Sequence, residues 1–70
     1  MIPVMMTDIG EESIIIKISG QDQTRKHLTE LGFVVGEKVT VISKIGGNMI
    51  LGVKNSRIAV DKDMLKRIMV

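Results

Sequence analysis

Apolar and polar residues alternate along the second half of the chain, and this pattern predicts a β-meander. In a strand, every second side chain points to the same face. The apolar positions that follow this alternation are Val39, Val41, Met49, Leu51, Val53, Ile58 and Val60. We therefore predict three short antiparallel strands, the first over residues 38–45, that share one core face.

The loop over residues 46–48, Gly-Gly-Asn, determines how the first two strands pair. A turn made of the two glycines alone would point the two apolar sets in opposite directions, because a shift of one residue exchanges the faces of a strand. A three-residue loop pairs Ile45 with Met49 and Val41 with Val53, which restores a common face. We therefore predict the three-residue loop.

The rest of this half contains one more hairpin and a short final strand. A turn over residues 55–56 would pair Val53 with Ile58 and continue the same core face. Asp61 is placed to cap a single helical turn, and residues 66–70 (KRIMV) supply the last strand.

In the first half, β-branched residues fill the segment SIIIKIS over residues 13–19, between two glycines. This composition is typical of a strand. We predict that Ile14, Ile16 and Ile18 share its inward face. The predicted order is then five short strands with one helix inserted after the first, which indicates a small, strongly bent, mainly β barrel forming a single domain over residues 1–70.

The helix follows in GQDQTRKHLTELG, with Asp22 as the predicted N-cap and with Leu28 and Leu31 on one side. Gly32 is the predicted left-handed residue that ends the helix, and Phe33 would then contact Leu28 across the cap.

A second glycine follows four residues later. A type II turn over residues 34–37 requires a positive φ at its third residue, which is Gly36. Two successive reversals therefore place the helix at the end of the sheet and start the next strand immediately.

Composition limits the chemistry that this chain can perform. It has no cysteine and one histidine, His27, so a site with several nitrogen or sulfur ligands cannot form within one chain. The carboxylate pairs over residues 11–12 and at 61 and 63 are more typical of caps and solvated charges than of a metal site. No phosphate-binding loop or nucleophile motif is present. We expect no catalytic residue, no cofactor, no GTP hydrolysis and no stoichiometric iron.

Charge divides unevenly along the chain. Residues 1–35 carry three basic and five acidic side chains, and residues 36–70 carry seven and three, so the halves have net charges of −2 and +4. A basic half suits either an anionic partner or a solvated strand surface. The N-terminal segment lacks the pattern of a signal peptide, and no segment is long enough to span a bilayer, so we expect a cytoplasmic protein.

The face of the meander opposite the core contains a small apolar depression with a basic rim. An apolar centre with a charged border is typical of a transient protein interface. Alternatively, the helix or a terminal segment covers this face and makes it ordinary core. The predicted partner-contact residues are Ile42, Ile50, Gly52 and Ala59 in the centre and Lys44, Lys54 and Arg57 at the rim.

The order of these motifs resembles the family of ferrous iron transport protein A, FeoA. The similarity covers nearly the whole chain: ISG at the end of the first strand, HLTELG, FVVGEKVTV, the GGN loop, RIAV, and a final RIMV. The spacing of Leu28, Leu31, Gly32 and Gly36 is its most specific part. Many members have proline before the second glycine, where this chain has Val35.

The resemblance implies an SH3-like barrel that acts as an accessory of ferrous iron uptake. The implied partner is a membrane ferrous iron transporter with a cytosolic GTPase domain, and weak self-association is compatible with this role. The family is also similar to the C-terminal domain of iron-dependent repressors, so a metal-responsive regulatory domain is one alternative. A basic barrel that binds RNA or DNA is another, although Phe33 is the only aromatic residue available for base stacking.

Overall fold

The computed structural model describes residues 1–70, which form two antiparallel sheets joined around one core. A single 3-10 turn at Val4–Met6 precedes the sheets. The strands are β1 (Glu12–Ile14), β2 (Lys17–Ile18), β3 (Lys38–Ile45), β4 (Asn48–Val53), β5 (Ser56–Val60) and β6 (Ile68–Met69), and the helices are α1 (Asp22–Glu30) and α2 (Lys62–Leu65). The larger sheet has the order β1-β3-β4-β5, and β2 pairs with β6. The mainly β prediction is confirmed, with six strands rather than about five.

The predicted core face of the meander is confirmed. Val39 and Val41 of β3 are 1% exposed, and Leu51 of β4 is fully buried. The twelve buried apolar side chains are Val4, Ile15, Leu28, Phe33, Val39, Val41, Met49, Leu51, Val53, Val60, Leu65 and Ile68. They come from both sheets and both helices, so this cluster joins all parts of the fold.

The predicted three-residue loop between β3 and β4 is wrong. Ile45 pairs with Asn48 across a two-residue turn, and Val41 pairs with Leu51 rather than with Val53. A β-bulge between Val41 and Ser43 adds one residue to β3, and this extra residue returns the apolar side chains to the common face. Gly46 has a φ of +60°, as a type II′ hairpin turn requires at its first central residue.

The turn between β4 and β5 lies one residue earlier than predicted. The turn residues are Lys54 and Asn55, and they join Val53 to its partner Ser56. Lys54 has a φ of +49°. The predicted register differs from the observed one by two residues, so the faces of β5 are unchanged and Val60 remains in the core.

The predicted first strand is divided, and its inward residue was predicted wrongly. Ile15 is fully buried, whereas Ile14 and Ile16 are 47% and 54% exposed. The Ile15 N–H donates to the Glu37 carbonyl at 3.0 Å, and the Ile16 N–H donates to the Met69 carbonyl at 2.8 Å. The chain therefore leaves the larger sheet at Ile15 and joins the smaller one at the next residue. Ile18, as expected, packs against the core.

Helix α1 begins one residue earlier than predicted. Gln21 is its N-cap and makes no side-chain capping hydrogen bond, while the predicted cap, Asp22, is the first helical residue and forms an exposed ion pair with Arg25. Leu28 is the one buried residue of this helix, and Leu31 is 37% exposed. A helix of nine residues is too short to be stable alone, so α1 depends on the packing of Leu28 and on the cap at its C-terminal end.

The corner after α1 has the predicted geometry. Gly32 has a φ of +108°. The Phe33 N–H donates to the Leu28 carbonyl at 2.9 Å, and the Gly32 N–H donates to the Thr29 carbonyl at 2.9 Å. These two bonds are those of a Schellman cap. Phe33 and Leu28 are both fully buried, so the cap also fixes the only aromatic side chain in the core.

The second reversal is also confirmed. Gly36 has a φ of +93°, and the Glu37 N–H donates to the Val34 carbonyl at 3.1 Å, which closes the predicted turn. The Gly36 N–H donates to the Ile15 carbonyl at 2.8 Å. The turn is therefore bonded to the segment that passes between the two sheets.

The C-terminal segment closes the smaller sheet. Asp61 Oδ1 accepts a 3.0 Å hydrogen bond from the Met64 N–H, so the predicted cap of α2 is confirmed. Ile68 of β6 is fully buried. Ile2 and Val70 exchange two backbone hydrogen bonds, 2.9 and 2.8 Å long. Neither helix has the length and hydropathy that crossing a bilayer would require.

Candidate functional site

One side of the larger sheet is directed away from the core, and we call it the outer face. It follows from the alternation of the strands, because these residues lie between the buried ones and, apart from Ile42, pair with one another across the sheet. Ile42 is the extra residue of the β-bulge and lies on this face beside Gly52. The outer face consists of Glu12, Ile14, Lys38, Thr40, Ile42, Ser43, Ile50, Gly52, Arg57 and Ala59.

The centre of the outer face is apolar and only partly covered. Ile42, Ile50 and Gly52 are half-buried, and Ala59 is exposed. A methyl group at Gly52 would lie 3.3 Å from Ile42 Cδ1, so the isoleucine side chain lies over the bare glycine backbone. Neither helix buries these residues, which leaves the centre of the face accessible.

A shallow depression of about 470 Å³, the outer groove, lies beside this centre. The depression forms where Gly52 lacks a side chain and the neighbouring residues have larger ones. The groove is lined mainly by polar residues, among them Lys38, Thr40, Lys54 and Arg57. Glu12 of β1 is the one acidic residue that lines it. The groove is therefore basic at the β4–β5 end.

Four of the predicted partner-contact residues line this groove, namely Ile42, Gly52, Lys54 and Arg57. The pairing between them differs from the prediction, because Arg57 is opposite Gly52 and Ala59 is opposite Ile50. Since opposite residues share a face, Ile50 and Ala59 remain beside the groove.

Lys44 was placed on the wrong side of the sheet. It follows the bulge in β3 and pairs with Met49, so it lies on the core side of the hairpin. There it lines a separate cleft of about 120 Å³ together with Met5 and Lys62. Lys44 therefore does not belong to the rim of the outer groove.

Six residues that line the outer groove were not among the predicted contacts, namely Glu12, Lys38, Thr40, Val53, Asn55 and Ser56. Glu12 pairs with Thr40, but the predicted first strand began only at residue 13. Lys38 and Thr40 have the same parity as Ile42 in the predicted strand. Extending the outward set toward the beginning of that strand would have identified both.

The basic side chains of the groove have few acidic neighbours. Lys54 Nζ lies 3.9 Å from Glu37 Oε1, and both side chains are substantially exposed to solvent. Such a pair contributes little to stability in water. Arg57 and Lys38 form no ion pair. These charges are available to an anionic group of another molecule.

Potential metal-ligand side chains are dispersed over the structure. Nowhere do three or more histidine, cysteine, aspartate or glutamate side chains converge. His27 is exposed on α1. Phe33 is fully buried and the chain has no tyrosine or tryptophan, so no such ring lies on the surface to stack on a base. The arrangement favours binding of another macromolecule at the outer face, through apolar contacts at its centre and positive charge at its rim.

Comparison with known proteins shows the family to which this chain belongs. A model described as the FeoA domain matches residues 2–70. The chain belongs to the FeoA domain family. Membership implies a role in ferrous iron transport, as the resemblance in the sequence predicted.

Relatives of the FeoA domain agree in sequence and in fold. Fe(2+) transport protein A of Methanocaldococcus jannaschii is 33% identical over 70 residues, which cover 100% of this chain and 85% of that protein. A crystal structure of an iron uptake regulatory protein, FeoA, has a TM-score of 0.87 and 25% identity, covering 96% of this chain and 89% of that one.

A third relative supports the predicted fold class. The structure of Stenotrophomonas maltophilia FeoA in complex with zinc has a TM-score of 0.81 and 25% identity, covering 94% of this chain and 85% of that one. It is described as an SH3 domain protein and as a candidate activating factor of bacterial ferrous iron transport. The SH3-like architecture predicted for the FeoA domain is confirmed by this similarity.

Proposed function

We propose that this protein is a small cytoplasmic accessory of ferrous iron uptake that acts by protein–protein contact. Its partner is a membrane ferrous iron transporter with a cytosolic GTPase domain, which it binds and modulates. The family supports the pathway. The uncovered outer face, with its apolar centre and unpaired Arg57, supports the mode of action.

An adaptor explains the chemistry of the surface better than a carrier does. Iron carriage would require convergent ligands, and the carboxylates of this chain do not gather into a group of three. Isothermal titration with ferrous iron at neutral pH should therefore give no tight one-to-one binding, and incubation with GTP should release no phosphate. Tight stoichiometric iron binding would contradict the adaptor role.

The decisive test introduces a charge into the apolar centre of the outer face. Ile50→Glu should reduce co-purification with the cytosolic region of the transporter, because a carboxylate replaces apolar contact area in the interface. Ile16→Glu is the matched control, since it makes the same change on a 54% exposed isoleucine at the edge of the smaller sheet. The control should co-purify as the parent does.

Equal co-purification of a folded Ile50→Glu variant and the parent would exclude the outer face as the contact surface. The exposed side of α1 around Arg25, Lys26 and Thr29 would then be the next surface to test.

A further inference from the structure

The larger sheet ends at β5, and the outer edge of this strand carries backbone groups that no other strand of the chain binds. The strand pairs only with β4. None of the backbone hydrogen bonds formed outside the helices and strands reaches residues 56–60. We propose that an extended acidic segment of the partner adds to β5 as a further strand. This inference rests on the proposed function, because it assigns the segment to the transporter's cytosolic region.

The register of the hairpin identifies the backbone groups that are free to bind. Val53 and Ser56 flank a two-residue turn and therefore exchange hydrogen bonds with each other. Bonded and non-bonded pairs alternate along an antiparallel ladder, so Ile58 is bonded to β4. Arg57 and Ala59 consequently direct their N–H and C=O groups away from the sheet. Four backbone groups are available to an added strand.

Charge indicates the chemistry of that strand. Arg57 stands at the edge itself without an acidic partner, and Lys54 stands at the adjoining turn with only one distant carboxylate. An acidic side chain opposite Arg57 would lie on the same face as Arg57 and near Lys54, since opposite residues share a face. Lys38 lines the same groove from β3, two strands further into the sheet, and adds positive charge at longer range. Glu12 also lines the groove, but it lies on β1 at the other edge of the sheet, three strands away from Arg57.

The inner face of β5 adds a second requirement. Ile58 packs against the core but is only half-buried, and its side chain points to the face opposite Arg57 and Ala59. An apolar residue at the centre of the added strand would cover it. The expected segment therefore has an apolar residue flanked by residues that face the groove, with an acidic one opposite Arg57. Backbone bonds then provide affinity, and the alternating side chains provide specificity.

The same charges argue against a second copy of this chain as the occupant. Pairing two β5 edges would bring Arg57 and Lys54 of both copies to one interface, where like charges repel. The β5 edge has no acidic residue in its own sequence, Ser-Arg-Ile-Ala-Val. An acidic segment from another protein matches the edge better.

Substitution at Ala59 separates strand addition from other modes of binding. Ala59→Pro removes an N–H that points to the open edge, and proline is tolerated at such positions because no ladder bond to β4 is lost. Ala59→Thr keeps the N–H and is the matched control, because it also changes the side chain that this residue presents on the outer face. The proline variant should fold but lose far more co-purification with the transporter's cytosolic region than the threonine variant does.

Hydrogen exchange tests the edge without requiring the transporter. The probe is a peptide roughly eight residues long, a common strand length, in which glutamate and valine alternate. It should slow exchange at the amides of Arg57 and Ala59 by about tenfold or more and leave the Ile58 amide unchanged. The same peptide with lysine in place of glutamate should protect neither amide, and Arg57→Glu should abolish the effect of the acidic peptide.

The two experiments distinguish failure of this inference from failure of the proposed function. If the parent and Ala59→Pro co-purify equally with the transporter region, strand addition is wrong and the adaptor role stands. If the parent does not co-purify, the adaptor role is wrong. The hydrogen-exchange experiment with the acidic peptide then tests strand addition at the β5 edge on its own. An acidic peptide that leaves both edge amides unprotected overturns the proposal.

Discussion

The two faces of the four-stranded sheet are made by the same strands but differ in what they contribute. Toward the core, Val41 and Leu51 are at most 1% exposed and belong to the buried cluster that also includes residues of the other sheet and of both helices. Between them along the same strands, Ile42 and Ile50 remain half-buried. The difference shows that stability comes from one side of the sheet, while the other side keeps apolar atoms available for a partner. Single substitutions on neighbouring residues can test this division.

The largest effect is expected on the inner face. Leu51→Ala removes a fully buried side chain and should lower the free energy of unfolding by about 2 to 5 kcal/mol. Small domains of this size have roughly 3 to 5 kcal/mol of stability, so the variant should be largely unfolded. Urea denaturation followed by circular dichroism measures the change. A small loss would show that the inner face does not dominate stability.

The second largest loss of stability is expected at the corner after α1, which fixes Phe33 in the core. Gly32→Val should cost about 1 to 3 kcal/mol, because φ is +108° and the added methyl groups approach Val53. Gly36→Ala should cost less, about 1 to 2 kcal/mol, since φ is +93° but nothing lies within 4 Å of the added methyl group, so the strain is confined to the backbone.

Melting temperatures of these two glycine variants, with Gly32→Ala as an intermediate control, test the cap. Comparable values for Gly32→Val and Gly36→Ala would show that the cap does not control the position of Phe33.

A smaller effect is expected at the cap of α2, which carries the buried Leu65 to one end of the inner face. Asp61→Ala should cost about 1 kcal/mol, because it removes the hydrogen bond to the Met64 N–H. Asp22→Ala is the matched control, since its exposed pair with Arg25 should contribute less than about 0.5 kcal/mol. Equal losses in chemical denaturation would contradict the difference between the two aspartates.

The smallest effect on stability is expected on the outer face. Ile50→Glu should change the free energy of unfolding by less than about 1 kcal/mol, because its carboxylate can reach water. Its neighbour Leu51→Glu would bury an unpaired charge and should not fold. Thermal unfolding of the Ile50 variant measures this directly. A loss of several kcal/mol would mean that the outer face is part of the core, and the distinction between the two faces would fail.

The features that follow from local backbone chemistry could be predicted from the sequence. A positive φ after a helix strongly favours glycine, so Gly32 and Gly36 identified both reversals. Asp61 identified the α2 cap, because an aspartate before a short helical segment can accept a hydrogen bond from a backbone N–H of its first turn. Asp22 did not, because its neighbour Gln21 takes the N-cap position with no side-chain bond to mark it.

The features that depend on pairing between distant segments could not be predicted. Three consecutive isoleucines have no alternation. Ile15 faces the core because its N–H pairs with the Glu37 carbonyl, which extends the pairing of β1 with the chain before β3. Alternation in β3 and β4 is satisfied equally by a longer loop or by a bulge, and no single residue type marks a bulge here. Lys44 was assigned to the wrong face for this reason alone.

The bulge in β3 also determines which changes in chain length this hairpin can accept. Because Ile42 is the extra residue, its loss would remove the bulge and keep Val41 opposite Leu51 and Ser43 opposite Ile50. Loss of a residue within Lys38–Val41 would instead exchange the inner and outer side chains between the deletion and the start of β3. Single-residue deletions should therefore be tolerated at the bulge and disruptive toward the beginning of the strand.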